Sequence, residues 1–434
     1  MTAAATSPPR VGPRPLPVHL AAAIGSFASS YAALPMLKSG LLAWSPELAG
    51  AGQELQRSLA AAGLEGLASA VDAELRSRAD RFLAGIERYR HHPYRRALAD
   101  PPAIWREGTT RLLDYGGAEG SAPVLVVPSL INRAYVLDLM PGKSLLRWLA
   151  QNGMRPLLVD WDKPGEAERR FGLTEYIAGR LEAALDVAVE LARRPVAVMG
   201  YCMGGTLALA LAARRPRQVS ALALLATPWD FHAERPEQAR LLGSLMPSLS
   251  AAFRAWGELP VEVLQTLFAS LDPLLALRKF TRFAALGEQD PRVAEFVALE
   301  DWLNDGVPLA LPVAEECLAG WYGANSTARG RWRIAGRAAD PARCAMPALV
   351  VVPAQDRIVP PGSARALAGA LPAATTLSPS LGHIGMVVSG GAAEAVWRPL
   401  GAWLREHAAP PANPARRRAP ARQARPRRAR TPRR

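Results

Sequence analysis

From Pro123 onward the chain is punctuated by five short apolar runs: "PVLVVPSL" (123–130), "RPLLVDW" (155–161), "PVAVMG" (195–200), "ALALLATPWD" (221–230) and "PALVVVPAQD" (347–356). Each has Gly, Pro or Asp at or near its end, and amphipathic segments such as "GKSLLRWLAQNG" and "TEYIAGRLEAALDVAVELARR" separate the first four. A strand that is apolar along its whole length must be covered on both faces, and strands that alternate with helices pair in parallel. The pattern therefore predicts a doubly wound α/β core, residues 99–229 and 345–410. Residues 230–344 are dense in leucine, alanine and aromatics but contain no such run, so they read as a helical insertion capping the carboxyl edge of the sheet. There is no internal repeat.

Ahead of the core, "LQRSLAAAGLEGLASAVDAELRSRADRFLAGIERY" repeats apolar positions every three or four residues between charged ones, which makes 18–98 a helical region packed on something else. Residues 1–17 hold five prolines and read as a disordered or extended arm. The arginines near the N-terminus, followed by a short alanine-rich run, loosely imitate a signal peptide. That run falls short of the roughly 18 apolar residues a span requires, so no membrane span is expected. At the other end, "PANPARRRAPARQARPRRARTPRR" (411–434) carries ten of the arginines and no acid, so the net charge of +14 leaves only +4 for everything before it. Such a tail cannot bury a core and is expected to be disordered, with non-specific binding of a polyanion as one use and solubilisation as the other.

The segment that carries chemistry is "GYCMGGTLALA" (200–210), between an apolar strand and a helix. Small residues around a sharp strand-to-helix turn expose the central side chain, here Cys202, in a strained conformation. The helix N-terminus favours a thiolate, and the Met203 N–H is placed to bind an oxyanion. Cys317, in the cap, and Cys344, in a connecting segment, read as structural. Three cysteines in a chain of 434 residues are an odd and sparse set, which argues against a disulfide framework and for a reducing, cytoplasmic setting. No pair has metal-ligand spacing, and no metal is expected.

A thiol nucleophile needs a base and an acid that orients the base, in the chain order nucleophile, acid, histidine. Of the six histidines, His19, His91, His92 and His407 lie outside the strand ends, and His232 directly follows the fourth strand. Only His383, in "SPSLGHIGMVVSG", follows the last apolar run with small residues on both sides. For the acid, Asp356 ends the strand before the histidine loop and is favoured. Asp230 ends the preceding strand and is the alternative.

The segments "VPSLINRAYVLDLMPGKSLLRWLAQNGMRPLLVDW", "GYCMGGTLALALAARRPRQVSALALLATPWDF", "PAQDRIVPP" and "LGHIGMVVSG" together resemble the polyhydroxyalkanoate synthases in both order and spacing. The likeness covers residues 94–405. It implies an α/β-hydrolase fold, a cysteine acylated by a 3-hydroxyacyl-CoA, a polyester product that forms granules, and no cofactor beyond the CoA thioester. By the same likeness Cys202, His383 and Asp356 are the nucleophile, base and acid, and "VPSLIN" supplies a second oxyanion amide at Leu130 or Ile131. A homodimer or a synthase partner subunit is also implied. The cap is recognisable only in patches such as "DPLLALRKF" and "ALEDWLNDGVPL", which keeps a synthase-like thioesterase or depolymerase in view. A dienelactone-hydrolase-like enzyme and a non-catalytic granule protein tethered to nucleic acid by its tail are the other readings. Sulfur in the elbow favours acyl exchange, because passing an acyl group from one thioester to another keeps it activated for attack by a hydroxyl.

Overall fold

The computed structural model describes residues 10–62 and 64–408, and the arginine-rich tail 411–434 and residues 1–9 of the arm lie outside the described residues. Eight strands form the central sheet: β1 (Ala103–Glu107), β2 (Thr110–Asp114), β3 (Ala122–Val127), β4 (Met154–Asp160), β5 (Val196–Tyr201), β6 (Val219–Leu225), β7 (Ala348–Val351) and β8 (Ala374–Leu377). Their spatial order is β1-β2-β4-β3-β5-β6-β7-β8. β2 runs antiparallel to both of its neighbours, and every pairing from β4 to β8 is parallel. Val124 to Val127 of β3 and Val196 to Met199 of β5 are buried among them, as two-sided coverage of a parallel strand demands. The five apolar runs correspond to β3 to β7, while the β1–β2 hairpin and the edge strand β8 add three strands with no such run.

Helices α4 (Leu145–Gln151), α5 (Glu182–Ala192) and α6 (Met203–Arg214) follow successive strands of the parallel part. The two faces of the sheet support two apolar clusters: one holds α5, α6 and much of residues 309–346, the other holds α4 and the C-terminal segment Val396 to Ala408. The insertion contributes α7 (Pro236–Ser244), α8 (Met246–Phe253), α9 (Val261–Ala269), α10 (Leu275–Ala284) and α11 (Pro291–Asn304), then a wider π-helical turn, Glu316–Gly323.

The N-terminal region is α1 (Leu16–Lys38), α2 (Ala49–Ala62) and α3 (Leu64–His91). It docks on the insertion rather than on the sheet: Phe82, Ile86 and Tyr89 of α3 pack with Phe280 and Phe283 of α10 and with Val293 and Val297 of α11. Two expectations need correction here. Residues 10–15 are not a disordered arm, because the Arg10 guanidinium is held by Asp301 and by the carbonyls of Tyr89, His92 and Tyr94, and the prolines that follow lead straight into α1. The expectation of no apolar stretch of membrane-spanning length also fails for α1. Its 23 residues are long and apolar enough by length and composition, with a mean hydropathy of 1.4 over its 18-residue window, of which 11% is buried. The alanines, serines and glycine of this helix are individually weak signals, yet no charge interrupts them from Leu16 to Leu37.

Candidate active site

β5 passes into α6 through a single residue, Cys202. Its backbone lies at φ 56° and ψ −131°, on the positive-φ side that L residues avoid, so the turn stores strain and turns the side chain out of the sheet. Two features hold it there. The Cys202 N–H donates to the Leu225 carbonyl of β6 at 2.8 Å, and the Gly205 N–H donates to the Cys202 carbonyl at 2.9 Å. A Cβ on Gly200 would collide with the Cα of Gly205, and one on Gly204 would collide with the Val127 carbonyl, so the helix approaches the sheet only because both positions are glycine. Cys202 is the half-buried thiol of the three; Cys317 and Cys344 are buried. Burial pushes the Cys344 thiol up to about 12, and burial followed by the nearby Glu316 pushes the Cys317 thiol well above its ordinary range. Among the described residues no cluster of His, Cys, Asp or Glu is arranged to hold a metal ion.

His383 and Asp356 are brought together from loops beyond the ends of β8 and β7. The His383 Nδ1–H donates to Asp356 Oδ2 at 2.7 Å, and both side chains are buried. The other carboxylate oxygen, Oδ1, accepts the N–H groups of Ile358 and Val359 at 2.8 and 2.9 Å, so the acid is fixed by its own loop and its charge is compensated. With Nδ1 committed to the carboxylate, Nε2 is the ring nitrogen left available to Cys202. Burial by itself lowers the His383 pKa. The interaction with Cys202 and the hydrogen bond with Asp356 outweigh burial and push it up to about 10.

Asp230 is elsewhere. Its Oδ1 accepts the His232 N–H at 2.9 Å and the Asn325 Nδ2–H at 2.8 Å, and the His232 ring nitrogen Nε2 is 2.7 Å from the Tyr322 carbonyl oxygen. This second acid and second histidine brace the junction between core and cap.

The proposed oxyanion amides separate. The Met203 N–H, at the first position of α6, has no intrahelical acceptor. The Ile131 N–H is taken by the Ser129 hydroxyl at 3.0 Å, whereas among the described residues the Leu130 N–H finds no acceptor. Of the two candidates on that loop, Leu130 is the free donor.

One further residue belongs to this arrangement. Tyr201, inside the elbow, donates its hydroxyl to the His383 carbonyl at 3.2 Å, and its ring lies 5.3 Å from the imidazole. Burial, then the charges of Cys202 and Asp356, hold this phenol protonated. The last residue of β5 thus ties the loop carrying His383 to the turn carrying Cys202.

Comparison with known proteins extends these observations. The alpha/beta hydrolase fold family matches residues 122–389. A poly(3-hydroxyalkanoate) polymerase subunit PhaC from Allochromatium vinosum is 30% identical over 70% of this chain and 88% of its own length. One from Synechocystis sp. is 30% identical over 65% of this chain and 78% of its own length. For one from Haloferax mediterranei the identity is 29% over 70% of this chain, and the alignment spans only 63% of that relative. Among solved structures, an alpha/beta hydrolase fold protein from Nakamurella multipartita covers 68% of this chain and 95% of its own, with 21% identity and a TM-score of 0.41.

Proposed function

This chain belongs to the poly(3-hydroxyalkanoate) polymerase family, and from that premise we propose that Cys202 takes a 3-hydroxyacyl group from a CoA thioester and passes it to a hydroxyl, elongating a polyester. The observation that supports this reading is the strained, half-buried Cys202 facing an imidazole whose far nitrogen is held by a buried, fully hydrogen-bonded carboxylate.

The steps follow from the groups in place. The Cys202 thiolate attacks the thioester carbonyl, and the oxyanion that forms is met by the Met203 and Leu130 N–H groups. The intermediate collapses with cleavage of the C–S bond to CoA, and the leaving sulfur takes the proton from His383. The neutral imidazole then accepts the proton of an incoming hydroxyl, whose oxygen attacks the acyl-cysteine and displaces the thiolate. Asp356 keeps the imidazole in the tautomer that presents Nε2 and stabilises it while it is charged. The first transfer exchanges one activated acyl sulfur for another, so only the second, to an oxygen ester, runs downhill. The scheme needs no cofactor, the CoA thioester being its substrate, and it fits a cytoplasmic protein at the surface of its polyester.

The test is to supply purified protein with 3-hydroxybutyryl-CoA, follow CoA release, and identify the acyl product. CoA release with polymer supports the reading. Release with free 3-hydroxybutyrate makes the protein a thioesterase, and no release overturns the assignment of this family's chemistry to the chain.

A further inference from the structure

A cavity of about 150 Å³ lies between the cap helices α7 and α9 and the rim of the sheet, and Ile131, the neighbour of Leu130 on its loop, and Tyr322 are among its walls. Its walls are apolar: Leu242, Leu264, Leu267, Phe268, Leu271 and Leu318 face it. Several of these remain partly exposed in the folded chain, Phe268 by 38%, so the cap presents apolar surface that no other part of the described protein covers.

We infer that this cavity receives the alkyl substituent on C3 of the acyl group, and that it selects thioesters whose side chain is longer than a methyl group. The inference rests on the polymerase reading above and concerns the substrate of that same site. Position argues for it first. An acyl carbonyl pointing at the Leu130 and Met203 amides puts its own carbon chain beside Ile131, the next residue on the loop, and Ile131 is a wall of the cavity. Size argues next. At roughly 10–15 Å³ per water-sized group, the volume holds on the order of ten such groups, which fits one alkyl side chain and not a growing polyester. Charge excludes the CoA head. The charged residues at the rim are largely paired, Arg357 with Asp272, and Glu234 with the Gly362 N–H, and Arg235 sits next to that glutamate, so no net positive cradle exists for phosphates.

The experiment compares kcat/KM for 3-hydroxybutyryl-CoA and 3-hydroxyhexanoyl-CoA in the wild-type protein, in Leu267→Trp and in Leu267→Ala. Each methylene buried in an apolar site is worth up to about fourfold, so the two extra methylenes give the wild type up to about fifteenfold in favour of the longer substrate. Filling the cavity in Leu267→Trp is expected to lower the hexanoyl-to-butyryl ratio about tenfold. Enlarging it in Leu267→Ala is expected to leave that ratio high and to raise turnover of 3-hydroxyoctanoyl-CoA. A ratio unmoved by both variants, with turnover intact, overturns the inference alone. An unmoved ratio with altered polymer length assigns the cavity to the polyester instead, and an equal rise in KM for every thioester assigns it to CoA. Absence of CoA release from all three thioesters overturns the polymerase reading and this inference with it.

Discussion

The elbow and the cap are built in opposite ways. In α6 every residue from Met203 to Ala213 is buried, and the turn before it is fixed by hydrogen bonds to β6 and by glycines that admit no side chain. In α9, by contrast, Leu264 is the single buried residue, and in α7 only Ala239 and Gly243 are buried. The groups proposed to hold a reacting carbon in one geometry therefore sit on the most tightly packed part of the molecule, and the surfaces proposed to meet variable substituents sit on the part with the most slack. If that division is real, substitutions at the elbow change rate and folding, whereas substitutions in the cap change preference.

The sharpest test of the first half is Cys202→Ala, which is expected to abolish CoA release and covalent acyl labelling, while Cys317→Ala and Cys344→Ala retain both. Labelling of Cys202→Ala would move the nucleophile away from the elbow. Next in size, His383→Ala is expected to lower turnover by about 10²–10⁴-fold through loss of proton transfer. Asp356→Asn should follow in the same direction because the imidazole loses its orienting charge. Asp230→Asn should change turnover far less, since its carboxylate binds Asn325 and a backbone N–H rather than His383. A larger loss in Asp230→Asn than in Asp356→Asn would break the assignment of the acid.

Stability is expected to divide along the same line. Leu207 of α6 is wholly buried, so Leu207→Ala should destabilise the protein by about 2–5 kcal/mol. Leu242 of α7 is half-buried and faces the cavity, so Leu242→Ala should cost less than half as much in a denaturant titration. Equal costs would show that the cap is packed like the core.

What the sequence disclosed follows from the same physics. β3 to β7 were legible because each is apolar on both faces. The edge strands read "AIWRE" and "ATTL", and their polar residues hide them because an edge strand has an open side; "TRLLD" is largely buried and is hidden by Arg111 and Asp114, whose charges pair with Asp160 and Arg155. The elbow was legible because its glycines and its cysteine lie within six residues, 200–205. The choice between Asp356 and Asp230 was not closed, since both end a strand of the sheet and only the path of the loop after β7 decides which carboxylate meets His383. Tyr201 went unread for a related reason: its partner carbonyl is 182 residues away along the chain. α1 was read as too short an apolar segment because short side chains dilute the signal over 23 residues.

The last test is the most specific to the pairing of Cys202 with His383. The pKa of His383 is raised from 6.5 to about 10, so its protonated form is favoured by folding. A group of this kind contributes stability that is present in full below its unfolded value, here 6.5, and is lost as the pH rises through its folded value, here about 10. Burial works against this, and the leading cause in favour is the charge on Cys202, so Cys202→Ala should remove most of the rise. Unfolding free energies of the two proteins, measured between about pH 6 and 11, should therefore differ most at the acidic end and converge toward the alkaline end. A difference that stays constant across the range would mean that sulfur and imidazole meet as neutral groups, and the elbow would then have to generate its thiolate only when substrate arrives.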